Sequence, residues 1–124
     1  MKFLNYILNG FSRVLSVDAE FLTDSTGTIP QRVLCIVFKD IRSGEDFKYW
    51  VDGQNQIPHF FDYEKCLLVS FMATAEHGVF LNLLHGQPKN MYDCFVENKC
   101  LYGPFLAKNK TGLVDTCSRY NIPS

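Results

Sequence analysis

Several features that would place a protein in a class at a glance are missing from this chain. No apolar run is long enough to span a bilayer, and there is no internal repeat or low-complexity segment. The formal net charge is only -1, which argues against a broad polyanion-binding surface. Cysteine is present five times, an odd number, with no C-x-x-C pair, and the three histidines show no zinc-ligand spacing with the cysteines. A structural zinc site and a disulfide framework are therefore not expected; free thiols buried in apolar runs, in a reducing compartment, are. The first residues, MKFLNYILNGF, carry a lysine and an apolar run, but Asn5, Asn9, Arg13 and Asp18 interrupt it, so it does not read as a signal peptide.

What is present is the composition of a globular domain: 124 residues, 47% hydrophobic and 15% aromatic, enough for one domain with its own core. The small net charge hides an uneven distribution. Residues 1–80 hold seven Lys/Arg against ten Asp/Glu, while residues 81–124 hold five against three. Along the chain, RVLSVDAEF (13–21) reads as a strand, DSTGTIP (24–30) as a loop and RVLCIVFKD (32–40) as a second, nearly continuous apolar strand. A turn at Ser43-Gly44 leads to a third strand, FKYWV, ending at an Asp52-Gly53 turn, so the first three strands form an antiparallel meander. IPHFFDYEK (57–65) is expected to be a short helix, and CLLVSF (66–71) a fourth strand, apolar enough to lie between layers. From Thr74, a plausible N-cap, Val79, Phe80, Leu83 and Leu84 share one helical face, with Gly86 and Pro88 as stop signals. Met91 to Leu101 is expected to be a further helix, and Leu113 to Tyr120, opened by Thr111 or Gly112, the start of a last one.

The chemistry sits in Asp18-Ala19-Glu20. Residues two apart on a strand face the same side of a sheet, so Asp18 and Glu20 project together. Two like charges held this close repel, and a hard divalent cation with oxygen ligands relieves them. The ordinary alternative is a solvated strand end bearing two acids. Glu76, in the first turn of the helix after the fourth strand, is the third candidate ligand; its ordinary alternative is an acid placed to suit the helix dipole.

Three meandering strands followed by helix, strand and helix is the arrangement of a ribonuclease-H-like α/β domain: a central mixed sheet, the meander plus a further strand, flanked by helices. SVDAEF, SFMATAEHGVFLNLL, PKNMYDCFVENKCLYG and TGLVDTCSRYNIP, in that order, resemble the proofreading 3′-5′ exonuclease domain of family A DNA polymerases in the DEDD exonuclease superfamily, particularly its phage and plasmid forms. SVDAEF matches the first motif and Glu76 the acid of the second. The resemblance implies two divalent ions, Mg²⁺ or Mn²⁺, between the carboxylates, and hydrolysis of the terminal phosphodiester at a single-stranded DNA 3′ end. It implies that Asp18 bridges both ions, that Glu20 holds one near the terminal 3′ hydroxyl, and that Glu76 takes the outer position. Phe21 and Leu22 become candidates for a wedge against the terminal base, with Phe21 also suited to the core. A polymerase domain in cis or in trans, and the cytoplasm of a bacterial or phage-infected cell, follow from the same resemblance.

The chain departs from the pattern in its second motif. Met72 and Ala75 stand where the family often has an Asn and an aromatic residue, and Glu76 where Asp is usual. Asp93 falls where the resemblance places a non-ligand aspartate, so it is expected to cap or be solvated. His77 is a poor base beside Glu76, because consecutive helix residues diverge by about 100°. The family's fourth acid, with a Tyr or His as base, is expected beyond Ser124, so residues 1–124 read as a single exonuclease-like domain without its third motif. Two alternatives stay open: a catalytically silent nucleic-acid-binding or interaction module of the same fold, and an RNA-directed DEDD nuclease.

Overall fold

In the computed structural model, residues 8–27, 29–51, 57–86, 88–103 and 112–123 are described. Strand β1 spans Arg13–Thr23 and alternates cleanly: Leu15, Val17 and Ala19 are buried, while Ser16, Asp18 and Glu20 are exposed. Strand β2, Pro30–Asp40, runs antiparallel to it, pairing Leu15 with Asp40, Val17 with Phe38 and Ala19 with Ile36. The register shifts between Glu20 and Phe21, whose partners are Cys35 and Val33. Leu34 is thus the extra residue of a bulge, and the skip puts Val33 rather than Leu34 on the core side. A turn through Gly44, at φ 77°, leads to β3, Asp46–Trp50, antiparallel to β2. Asp52 and Gly53, read as the next turn, lie outside the described residues.

Residues 57–65 do not form the expected helix; they run through turns. Pro58 is buried, its carbonyl accepts from Tyr63 Oη at 2.7 Å, and Asp62 accepts from Glu64 N–H. The aromatic pair explains the choice. Phe60 and Phe61 both reach Phe38, with ring centroids 6.4 and 5.4 Å away, and both reach Phe47. Adjacent residues of a helix point about 100° apart, so a helix would have turned one ring away.

Strand β4, Cys66–Ser70, lies parallel to β1, and helix α1, Ala73–Asn82, follows it. Val79, Phe80 and Leu84 of this segment are buried against Phe38, Leu15 and Leu68, as their spacing predicts. Thr74 is not the N-cap. The helix starts two residues earlier than that cap would give, at Ala73, behind Met72 in a left-handed conformation with φ 66°. At the other end Gly86 N–H returns to the Phe80 carbonyl, and a side chain at Gly86 would strike Ile57 at 2.8 Å. Met91–Asp93, expected as the beginning of a helix, is instead strand β5, parallel to β4. Helix α2 occupies Cys94–Tyr102 and helix α3 Leu113–Arg119, with Gly112 as its N-cap.

The sheet order is β3-β2-β1-β4-β5, a mixed five-stranded sheet flanked by helices in an α/β, ribonuclease-H-like arrangement. All five cysteines are free, but only Cys66 is buried and Cys100 is exposed, so burial in apolar runs holds for one thiol alone. Among the described residues no helix is long and apolar enough to cross a membrane.

Candidate metal centre at the end of the parallel strands

The parallel pairing of β1 and β4 runs from Arg13 with Cys66 to Ser16 with Val69, and β4 ends at Ser70. Strand β1 continues past that end, which carries Asp18 and Glu20 to the carboxyl edge of the two parallel strands. This is the edge at which open α/β sheets bind ligands, because the chain there turns away and leaves a crevice. Both acids are exposed, on the face opposite the core, and among the described residues neither makes a hydrogen bond or an ion pair. The bulge at Leu34 lies opposite the step from Glu20 to Phe21.

Glu76 approaches from α1. It is 5% exposed, and Ser70 Oγ donates to its Oε2 at 2.9 Å, its one side-chain hydrogen bond among the described residues. Burial raises its pKa above the ordinary carboxylate value; the Ser70 hydroxyl and its own backbone N–H pull the other way, and the charges of Asp18 and Asp93 push it up further. The charge of Asp18 therefore reaches Glu76 across the strand ends. Such a donor set of oxygens under mutual repulsion fits a hard divalent ion in its chemistry. The gathering is incomplete: among the described residues no three His, Cys, Asp or Glu side chains stand close enough together to hold a metal ion. The structure brings Asp18 and Glu20 to one face and Glu76 toward Asp18, without drawing all three into one cage.

Beside Asp18 opens a largely apolar cavity of about 640 Å³ between the exposed face of β1 and β4 and helices α2 and α3. Ser16 and Asp18 form one side of it, Phe71, Tyr92 and Tyr120 supply aromatic surface, and Asn98 stands in its wall. Arg119 donates to Asn98 Oδ1 at 2.7 Å and ties α3 to α2. Phe21 packs against the core, leaving Leu22, 51% exposed, as the apolar residue next to the acids.

Asp93 is a cap. Its Oδ1 accepts from Phe95 N–H at 2.9 Å and Val96 N–H at 3.3 Å, at the start of α2. The same carboxylate accepts from Met72 N–H at 3.2 Å and Ala73 N–H at 3.0 Å, at the start of α1. His77 lines a different hollow, with Met91 and Asp93, away from the Asp18 cavity. Sequence reasoning had no hold on Ser70 as the partner of Glu76; a lone serine closing an apolar strand was the available signal.

No protein-family model matches the chain, and no curated protein matches it in sequence. Among solved structures it is similar to the EXD2 exonuclease domain, with a TM-score of 0.52 at 16% identity. The likeness covers 99% of this chain and 64% of that one, so this chain spans less than two thirds of that domain's length. At this identity the likeness establishes the fold.

Proposed function

We propose that this chain is a nuclease domain acting as a 3′-5′ exonuclease on single-stranded DNA ends, with Asp18, Glu20 and Glu76 as its ion-holding carboxylates. The observation that carries this reading is the buried Glu76 carboxylate, bonded by the Ser70 hydroxyl and under the negative charge of Asp18, near the carboxyl edge of the parallel strands. Buried acids left under repulsion are concentrated at functional sites, because a fold has no structural use for them. A fold shared with a domain named as an exonuclease supports the class of reaction.

Mg²⁺ or Mn²⁺ would be held by Asp18, Glu20 and Glu76, and supplies Lewis acidity for phosphodiester hydrolysis when bound. The residues of the chain do the rest. Asp18 and Glu20, unpaired and on one face, orient the terminal phosphate and 3′ hydroxyl. Ser70 fixes the direction of Glu76. The apolar cavity and exposed Leu22 offer surface on which bases of a frayed single strand stack, which favours single-stranded ends over paired ones. A polymerase domain, in cis or in trans, would make the activity a proofreading one.

The test is release of nucleotides from 3′-end-labelled DNA and RNA oligonucleotides in Mn²⁺. The chain alone should release little, since three carboxylates are fewer than a two-ion site uses. A downstream segment with a Tyr or His four or five residues before an Asp, fused or added, should restore release, and Asp18→Ala should abolish it. Release that ignores Asp18→Ala, or none from any form, overturns the reading; degradation of RNA alone would move it to the RNA-directed alternative.

A further inference from the structure

We infer that Asp93 is the positioning residue for Glu76: one carboxylate fastens the first turn of α1 to the end of β5 and thereby sets where Glu76 stands relative to Asp18. The inference rests on the reading of Asp18 and Glu76 as ion-holding groups. Helix α1 begins without a local cap. Met72 occupies the N-cap position with φ 66° and makes no side-chain capping bond. A left-handed conformation is unfavourable for a residue such as methionine, so something must hold it. The groups that hold it are Asp93 Oδ1 on Met72 N–H and Asp93 Oδ2 on Ala73 N–H, reaching across from a residue twenty positions further along the chain.

The register shows why this matters at Glu76. Asp93 pairs with Ser70 across β4 and β5. Ser70 grips the Glu76 carboxylate, and its neighbour on the next strand grips the backbone of the turn that carries Glu76. Two adjacent strand ends thus fix α1 at both its side chain and its main chain.

The division of labour between the two oxygens supplies a selective variant. Oδ1 serves α2 as well as Met72, whereas Oδ2 serves Ala73 alone. Asp93→Asn can keep the carbonyl oxygen on Phe95 and Val96, preserving the α2 cap, while its amide nitrogen confronts Ala73 N–H, donor against donor. An ordinary capping role predicts a variant close to the parent in every respect, since Asn and Asp cap about equally well.

The experiment measures Mn²⁺ affinity by calorimetry and amide exchange site by site, for the parent, Asp93→Asn and Asp93→Ala. Positioning predicts that Asp93→Asn weakens Mn²⁺ binding about tenfold and speeds exchange in the first turn of α1 about tenfold, with the sheet amides and α2 unchanged. Asp93→Ala should do both and loosen α2 as well. Parent-like exchange in α1 for Asp93→Asn overturns the inference, and so does parent-like Mn²⁺ affinity. If the parent itself binds no Mn²⁺, the ion-holding reading fails, and amide exchange still decides whether Asp93 fastens α1; should Asp93→Ala not fold, Asp93→Asn gives both measurements.

Discussion

Among the described residues two carboxylates are buried, near opposite ends of the sheet, and they are served in opposite ways. Asp40, 4% exposed at the end of β2, is fully served: Arg42 N–H at 2.9 Å and Ser43 N–H at 3.3 Å meet Oδ1, and Arg13 meets Oδ2 at 3.0 Å. Burial by itself would raise its pKa, but these donors and the Arg13 charge outweigh it and hold the carboxyl below its ordinary value. Arg13 is fixed in turn over the rings of Phe47 and Phe61, 5.3 and 5.6 Å from their centroids. Glu76, 5% exposed, has a single hydroxyl from Ser70 and two acids near it. The first arrangement is that of an acid used to close a turn and anchor an edge. The second is a desolvated acid left beside like charges, the arrangement that the proposed cation would relieve.

The sharpest way to break the contrast is to remove the well-served acid. Asp40→Ala should destabilise by about 2 to 3 kcal/mol, because it strips two turn N–H groups and Arg13 of a charged acceptor; the figure is held down by the partial exposure of Arg13. Its pH signature follows from the lowered pKa. The contribution of Asp40 is complete above about pH 4 and is lost as pH falls below that, where the unfolded chain takes up the proton first. Denaturant melts of parent and variant should therefore converge in acid.

The poorly served acid should behave with the opposite sign. Without added ion, Glu76→Gln should stabilise the protein by about 1 to 2 kcal/mol at neutral pH, since it removes a repelled, desolvated charge and keeps an oxygen for Ser70. With its pKa raised, Glu76 weakens the fold as pH climbs above about 4.3, so the advantage of the variant should shrink as pH falls toward that value. Melts across pH 4 to 8 in chelator, read beside those of Asp40→Ala, check both signs, and a Glu76→Gln variant less stable than the parent at pH 7 would erase the distinction between the two acids.

Much of this architecture was legible in the residues. The two-residue period of a strand placed Asp18 and Glu20 together with no structure, and of the four apolar residues expected on one helical face Val79 and Phe80 form the buried face of α1, while Leu83 and Leu84 lie past its end. Where the reading failed, a long-range partner decided. Residues 57–65 gave up a helix for an aromatic cluster around Phe38, a residue roughly twenty positions earlier. Met91–Asp93 became a strand because β4 offered it an edge, and the helix waited for Asp93 to cap it, a signal present in the sequence as an aspartate ahead of the helical run. The start of α1 was invisible for the same reason: its donors are met by Asp93 and no local residue announces it. The asparagine that the resembling family often carries at the position of Met72 suits a left-handed backbone, so that departure in the motif has a conformational consequence here. Of the site, the acids were readable and their environment was not, since burial and the Ser70 contact arise only from packing.

The central claim is that Asp18 and Glu76 are carboxylates awaiting a cation, and thermal unfolding in Mn²⁺ tests it most directly. A ligand that binds only the folded state at about five times its Kd adds about 1 kcal/mol. The parent should melt higher in millimolar Mn²⁺ than in chelator, and Asp18→Ala should show no such rise. An unchanged melting curve for the parent, or an equal rise in Asp18→Ala, would contradict the account.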